Sequence, residues 1–283
     1  MLSFVLGVGV GIASATAYSV GVVLQSLEAR EAPSSSSLRL SLLRWLVTRP
    51  RWVIGTLWVI AGWCLQAAAF GLAPLTVVQP TLAAGLFVLL IVGVRLTDEC
   101  ISRRDVVAVV AILVGVTGLA VASPKQVEGG HASALTVGLT LAAFAAAAIS
   151  PYLLRGRPPA WLVIVSAGLA YACSAFLTKF VADAIADPEL LMAVLWLGAT
   201  VCAASLGLVS EMTALQGRSA IRVFPGILVI QIVVAVLLAP LLAGETWSSD
   251  PLILGGLGAS LAMLAVGAAV LASAEAVAAM VES

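Results

Sequence analysis

Residues 225–245 read PGILVIQIVVAVLLAPLLAGE, an apolar run that is interrupted by one amide, Gln231, and ends at an acidic residue, Glu245. Residues 80–99, PTLAAGLFVLLIVGVRLTDE, have the same form, because a proline opens the run and acidic residues close it. A helix needs about 20 apolar residues to cross the hydrocarbon core of a bilayer. Each stretch therefore predicts a membrane-spanning helix, and the two together indicate an internal repeat.

The rest of the chain has the same character. Of its 283 residues, 62% are hydrophobic and only 10% are charged, with a mean hydropathy of +1.15. A soluble domain has about 25% charged residues, so this chain could not cover a water-facing surface. The sequence predicts an all-α integral membrane protein. Nine transmembrane helices are expected, at residues 2–26, 52–71, 75–96, 105–123, 132–154, 160–182, 189–211, 219–243 and 251–273.

The basic residues give the expected orientation. Twelve of the fourteen Lys and Arg residues fall in odd-numbered connections, which all lie on one side of the membrane. Since positively charged connections stay in the cytoplasm, the N-terminus is predicted outside and the tail, 274–283, inside. This is the arrangement expected of a multi-pass protein of the cell inner or plasma membrane.

The first connection, residues 27–51, is the longest. A serine run at 34–37 predicts a flexible linker. After it, leucines and arginines recur at roughly helical spacing around Arg39 and Arg44. This pattern predicts a short helix lying in the membrane interface, with Trp45 and Trp52 as its anchors.

The two proline-led stretches place the repeats. The first repeat spans residues 1–123 and includes the cytoplasmic linker, 132–154 is a connecting helix, and the second repeat spans 160–273. Leu57-Trp58 in the second predicted helix has a match in Leu195-Trp196 of the seventh. Helix 1 runs inward and helix 6 outward, so the repeats are inverted in the membrane. Such repeats are typical of secondary transporters, which bind their solute near the midplane between the halves.

Short motifs carry a family resemblance. They are Val78-Gln79-Pro80-Thr81 and Val223-Phe224-Pro225-Gly226 at the start of the third helix of each half, Asp98-Glu99 and Gly244-Glu245 at its end, and AFGLAP at 69–74. With them the chain resembles the drug/metabolite transporter superfamily, and in particular its EamA-like and NIPA-like members. Nine helices with an external N-terminus are similar to the NIPA type.

The resemblance implies a secondary transporter that moves a small polar solute by alternating access. A metabolite and a divalent cation such as magnesium both stay open as that solute. In one respect the chain departs from the family. Small multidrug relatives exchange protons through an acidic residue in the first helix, and residues 2–26 contain no Asp or Glu. Exchange of cationic drugs for protons through that helix is therefore not expected.

Polar side chains within the apolar helices are the candidate solute ligands. Several recur three or four residues apart and so share a helix face. The candidates are Ser14, Tyr18, Gln66, Gln79, Tyr171, Ser174, Thr178, Lys179 and Gln231. The alternative for each Ser or Thr is a bond to the carbonyl one turn earlier in its own helix. The alternative for Gln66 and Gln231 is a hydrogen bond that joins two helices.

Charged residues form two further candidates. Glu211 ends the seventh predicted helix, and Arg218 and Arg222 follow it closely. The three could form an ion pair that fixes the cytoplasmic turn, or they could serve as a gate or contact the solute. Lys179 and Asp183 are four apart, so they can pair at the membrane interface, or Lys179 could face an anionic solute.

Other functional classes are not indicated. The sequence has no catalytic triad, no phosphate-binding loop and no His/Cys spacing for a metal, so we expect neither an enzyme nor a cofactor. A metal site is unknown. The formal net charge of +0 gives no reason to expect nucleic acid as a partner. The expected partners are the lipid bilayer and a small-molecule or ion substrate, with a homodimer left open. The alternative is a non-transporting membrane subunit or scaffold.

Overall fold

The computed structural model is almost entirely helical. It describes residues 2–33, 36–73, 77–78, 81–97, 102–122, 125–126, 134–154, 158–186, 189–216, 218, 220–242, 245–246 and 250–281. The helices in these ranges are α1 (Leu2–Glu31), α2 (Leu40–Leu46), α3 (Pro50–Leu72), α4 (Gly85–Thr97, preceded by the 3-10 turn Leu82–Ala84), α5 (Arg103–Val121), α6 (Ala134–Leu153), α7 (Ala160–Ala186), α8 (Leu190–Ala214), α9 (Ala220–Leu242) and α10 (Pro251–Val281).

Six of these helices are long and apolar enough to cross a membrane, namely α1, α3, α6, α7, α8 and α9. Shorter apolar stretches lie in Leu82–Val92 and in Pro251–Gly267 of α10. The predicted all-helical class is therefore confirmed, and the long apolar helices indicate a multi-pass membrane protein. The count of nine transmembrane helices and the inverted repeat stay predictions.

Several helices run further than predicted, α1 and α10 by the largest margins. Helix α1 continues to Glu31 instead of ending at residue 26, and α10 continues to Val281, through most of the predicted tail. Bilayer thickness limits only the apolar part of a helix. Beyond it, Leu, Ala, Glu and Arg are strong helix formers, so the chain keeps its helical hydrogen bonds in water.

The short helix predicted in the first connection is present as α2. One of its two expected anchors is wrong. Trp52 does not lie at an interface, because it is buried and its indole Nε1 donates to Met212 Sδ at 3.4 Å. Trp45 is half-buried, and the Arg49 guanidinium lies 4.4 Å above its ring.

The helices pack in two similar groups. Helix α1 packs against α3 and α4, and α7 packs against α8 and α9. The groups meet where α3 contacts α7, and α5 packs against α10. Helices α1 and α3 cross very closely, since a Cβ added to Gly21 would lie 2.6 Å from the Gly55 carbonyl oxygen. Small residues permit such crossings between helices in membranes.

A two-stranded pair joins two connections. Strand β1 (Lys125–Gln126) follows α5, and β2 (Glu245–Thr246) follows α9, and they pair antiparallel. Glu245 is the acidic residue that ends the apolar run 225–245. The connections after α5 and α9 therefore lie on the same side of the bundle. This is the predicted arrangement, because they follow the fourth and eighth predicted helices and are both even-numbered connections.

Candidate functional site

Tyr18 on α1 and Gln66 on α3 form the first polar cluster inside the bundle. The Tyr18 hydroxyl donates to Gln66 Oε1 at 3.1 Å, and the Gln66 side chain is buried. The tyrosine ring lies directly against α3 at Gly62, where an added Cβ would be 3.1 Å from ring atom Cδ2. Ser14 Oγ donates to the Gly62 carbonyl oxygen at 2.7 Å and holds the same crossing.

Tyr171 on α7 and Glu211 on α8 form the second cluster. The Tyr171 hydroxyl donates to Glu211 Oε2, and Glu211 is only 3% exposed. Here too the tyrosine ring lies against a glycine, because a Cβ added to Gly207 would be 2.8 Å from Tyr171 Cε1. A carboxyl group is thus held deep in an apolar bundle by one phenolic hydrogen bond.

The two clusters are built alike. In each, a tyrosine lies over a glycine on the next long helix, and it donates to a side chain four residues after that glycine, at 66 or at 211. The predicted match between Trp58 and Trp196 does not follow this register. Trp58 stands four residues before Gly62, whereas Trp196 stands eleven before Gly207. The dipeptide match and the tyrosine clusters thus give different registers for the repeat, which stays a prediction.

Two buried polar atoms in the clusters have no hydrogen-bond partner among the described residues. They are Gln66 Nε2 and Glu211 Oε1. Leaving such an atom buried and unsatisfied costs about 1–3 kcal/mol, and more for a charged group. Tyr18 interacts electrostatically with both Glu211 and Tyr171, so the clusters lie near one another. The centre of the bundle therefore offers an amide donor and a carboxyl oxygen with unused hydrogen-bonding capacity.

Hydroxyl groups surround the second cluster. Tyr152 Oη lies 2.8 Å from Ser210 Oγ, and Ser166 Oγ lies 3.0 Å from Ser210 Oγ and donates to the Ala148 carbonyl oxygen at 2.5 Å. These contacts join α6, α7 and α8. Tyr152, Ser166 and Ser210 were not among the predicted candidates. A usable signal was the scarcity of tyrosine, since the chain has three and all of them lie in this region.

Thr178 and Ser174 link α7 to α3. Trp63 Nε1 donates to Thr178 Oγ1 at 3.0 Å, and the Thr178 hydroxyl donates to the Ser174 carbonyl oxygen at 2.8 Å. Thr178 therefore donates to a carbonyl oxygen of its own helix, which was the predicted alternative to a solute contact. It also accepts a hydrogen bond from Trp63 on α3. Ser174 is buried near the middle of α7.

Lys179 pairs with Asp183 through Nζ and Oδ1, four residues apart on α7, and this pair is compatible with both predicted placements of the lysine. The lysine side chain is mostly buried and the aspartate half exposed. Gln231 is half-buried on α9. Gln79 lies outside the described residues. Among the described candidates, the structure therefore brings Tyr18, Gln66 and Tyr171 together with Glu211.

The ion pair predicted between Glu211 and Arg218 or Arg222 is not formed. Glu211 turns into the bundle and bonds to Tyr171. Arg218 Nη1 instead reaches the Ala214 carbonyl oxygen at 3.4 Å, and the Arg218 carbonyl oxygen accepts from Arg30 Nε at 3.0 Å. Closeness in sequence suggested the pair, but the rotation of α8 points the carboxyl group the other way. A gating role for Glu211 stays a prediction.

A groove of about 660 Å³ lies elsewhere, between α4, α5 and α10. Its lining is almost entirely apolar and includes Phe87, Val110, Val114 and Leu252. It does not reach the two tyrosine clusters. Among the described residues, no three His, Cys, Asp or Glu side chains are grouped closely enough to hold a metal ion.

Comparison with known proteins leaves the family open. No family model, no curated protein and no solved structure matches this chain. The likeness to the drug/metabolite transporter superfamily thus rests on the sequence motifs alone and stays a prediction.

Proposed function

We propose that this protein is a secondary transporter that moves a small polar solute across the membrane by alternating access. The solute-binding region lies between the Tyr18–Gln66 and Tyr171–Glu211 pairs. The observation that carries the proposal is the paired construction of these clusters, with Gln66 Nε2 and Glu211 Oε1 buried and unpartnered. Ionisable and strongly polar groups inside a membrane are costly, and they typically mark solute or ion pathways.

The two clusters are neighbours, but under the predicted orientation Gln66 and Glu211 lie toward helix ends on opposite sides of the membrane. Gln66 lies six residues before the end of α3, and Glu211 lies three residues before the end of α8. With the orientation that the basic residues predict, α3 ends outside and α8 ends inside. At a rise of about 1.5 Å per residue, Gln66 lies about 9 Å from the outer end of α3, and Glu211 lies about 5 Å from the inner end of α8. Two similar clusters in opposite halves are what an inverted repeat would produce.

The helix contacts support the same arrangement. The pairing of α1 with α3 resembles that of α7 with α8, and the pairing of α1 with α4 resembles that of α7 with α9. Under the proposal, α3 and α7 form the contact along which the halves rock. The full scheme of nine spanning helices and two inverted four-helix repeats is part of this proposal, as are the cytoplasmic C-terminus and the membership of the drug/metabolite transporter superfamily.

A polar metabolite and a divalent cation are both retained as solutes. A metabolite could accept a hydrogen bond from Gln66 Nε2 and place a donor or cationic group at Glu211 Oε1. A magnesium ion keeps most of its water shell and needs few protein oxygens, so one carboxylate with the surrounding hydroxyls could hold it hydrated.

A second candidate is a non-transporting subunit or scaffold. Tight packing favours it: both tyrosine rings lie against glycines, and Gln66 and Glu211 are each 3% exposed. A transporter closed around an empty site would show the same packing. The two functions differ in whether water reaches the centre from both sides.

Cysteine accessibility separates them. Ser174→Cys would be placed near the middle of α7, in a variant whose four native cysteines are replaced, and reconstituted in liposomes. Labelling with a membrane-impermeant maleimide from the outer face, and separately from the inner face, should succeed in both cases for a transporter. A scaffold with a permanently closed centre predicts labelling from neither face, and that result would reject the proposal.

Cys202 supplies a matched control. It lies near the middle of α8 and is exposed on the surface of the bundle, so lipid should shield it. A variant that keeps Cys202 alone should resist the reagent from both faces. Labelling of Cys202 would show that the reagent enters the bilayer and that the result at position 174 is not informative about water access.

A further inference from the structure

The first cytoplasmic connection is fastened to the end of α8. The Leu38 backbone N–H donates to Thr213 Oγ1 at 3.0 Å, and Ser37 Oγ donates to Gln216 Oε1 at 2.5 Å. Gln216 Nε2 in turn donates to the Pro33 carbonyl oxygen at 3.0 Å. Helix α2 continues this contact, since it packs against α8. Pro33 and residues 36–46 therefore form a clasp on the last turn of α8 and the residues just after it.

The clasp has two different faces. Its inner face carries Leu42 and Leu46, which are fully buried. Its outer face carries Leu40, Arg44 and Val47, whose spacing of four and three residues places them on one side of the helix. Leu40 is 78% exposed and Val47 is 57% exposed. Such a mixture of apolar and basic groups fits the boundary between lipid headgroups and acyl chains.

This part of the chain is rich in arginine and poor in acidic residues. Arg39, Arg44 and Arg51 are all exposed, and no acidic residue occurs between Glu31 and Asp98 in the sequence. Arg49 is different, because its guanidinium lies over Trp45 and 4.0 Å from Glu28 Oε2. Three arginines within thirteen residues are thus exposed. Guanidinium groups match phosphate oxygens in geometry, and basic clusters at the membrane surface attract anionic lipids.

We propose that the clasp is a binding surface for anionic phospholipid headgroups, and that lipid held by Arg39, Arg44 and Arg51 keeps it seated on α8. Thr213 and Gln216, which the clasp grips, come two and five residues after Glu211. Lipid binding therefore restrains the segment of α8 that carries the buried carboxyl group. The inference does not depend on the transport activity proposed above.

Hydrogen exchange on the full-length protein tests this surface. The protein would be reconstituted in phosphatidylcholine vesicles, with and without phosphatidylglycerol, and amide exchange over residues 36–46 followed by mass spectrometry. Phosphatidylglycerol should slow exchange there severalfold, including at the Leu38 N–H. The combined variant Arg39→Gln, Arg44→Gln, Arg51→Gln should lose this response.

A matched variant controls for general positive charge. Arg103→Gln, Arg104→Gln neutralises two exposed arginines at the start of α5 and should leave the response intact. Equal exchange in both vesicles would overturn the proposal, as would an unchanged response in the triple variant or an equal loss in the control. Slowed exchange after soluble glycerol phosphate is added to pure phosphatidylcholine vesicles would also overturn it, because the ligand would then be a free phosphate.

Discussion

Replacing Gly207 with alanine tests whether Tyr171 must lie flat against α8. The added Cβ would be 2.8 Å from Tyr171 Cε1, 2.9 Å from Cδ1 and 3.1 Å from Cζ. Ordinary carbon contacts are about 3.5–4.0 Å apart, so the ring must move by several tenths of an ångström. The movement takes the Tyr171 hydroxyl away from the Glu211 carboxyl group to which it donates.

The expected change in the free energy of unfolding has three contributions. Overpacking a well-packed site costs about 1–3 kcal/mol. Weakening a hydrogen bond to a carboxylate removes part of its worth of about 1.5–3 kcal/mol. Alanine in place of glycine returns about 1 kcal/mol of helix propensity. The free energy of unfolding should therefore fall by about 2 kcal/mol in the Gly207→Ala variant.

Gly198 supplies the control on the same helix, since no atom lies within 4 Å of a Cβ added there. Gly198→Ala should leave stability unchanged or raise it by up to about 1 kcal/mol. Reversible unfolding by SDS in mixed micelles measures both variants. A double-mutant cycle with Tyr171→Ala should remove most of the penalty at position 207. Equal stabilities of the two glycine variants would refute the proposed contact.

Three further outcomes are expected. Glu211→Gln should leave folded yield unchanged but lower transport in liposomes by at least about tenfold, because a charged hydrogen-bonding group worth about 1.5–3 kcal/mol is lost; equal transport would contradict its role. Lys179→Ala should lower transport of an anionic metabolite more than it lowers folded yield. Asp183→Ala is the control, because it removes the partner but keeps the lysine cation. Unchanged transport by folded Lys179→Ala would favour a cationic or neutral solute. A cysteine at Glu128 should react with an impermeant reagent from outside and one at Arg103 should not, and the reverse pattern would invert the predicted orientation.

The helices could be predicted because the bilayer fixes how many apolar residues a span needs. The positions at which the helices end are less constrained. Helix α1 continues to Glu31 and α10 to Val281, since nothing in the solvent layer stops a run of strong helix formers. Trp52 was predicted as an interfacial anchor from its position beside the membrane, but it lies against Met212 inside the protein.

The pairs at the candidate site depend on how helices are rotated about their axes, which local sequence does not specify. Tyr18 and Gln66 are 48 residues apart, and Tyr171 and Glu211 are 40 apart. Tyr18, Gln66 and Tyr171 were predicted as polar candidates because such groups are costly in hydrocarbon. Glu211 was assigned to Arg218 or Arg222 because they are near in sequence, yet its side chain points into the bundle.

Distances between spin labels at both ends of the α3–α7 contact test the central claim most directly. One pair would join Arg51 to Trp161, at the start of each helix, and the other Leu72 to Ile185, near their ends; all four positions are exposed. Alternating access predicts two distances for each pair in lipid, with populations that shift in opposite directions when Glu211→Gln is introduced. A single distance for each pair, unchanged by that substitution, would contradict a transporter built around these two clusters.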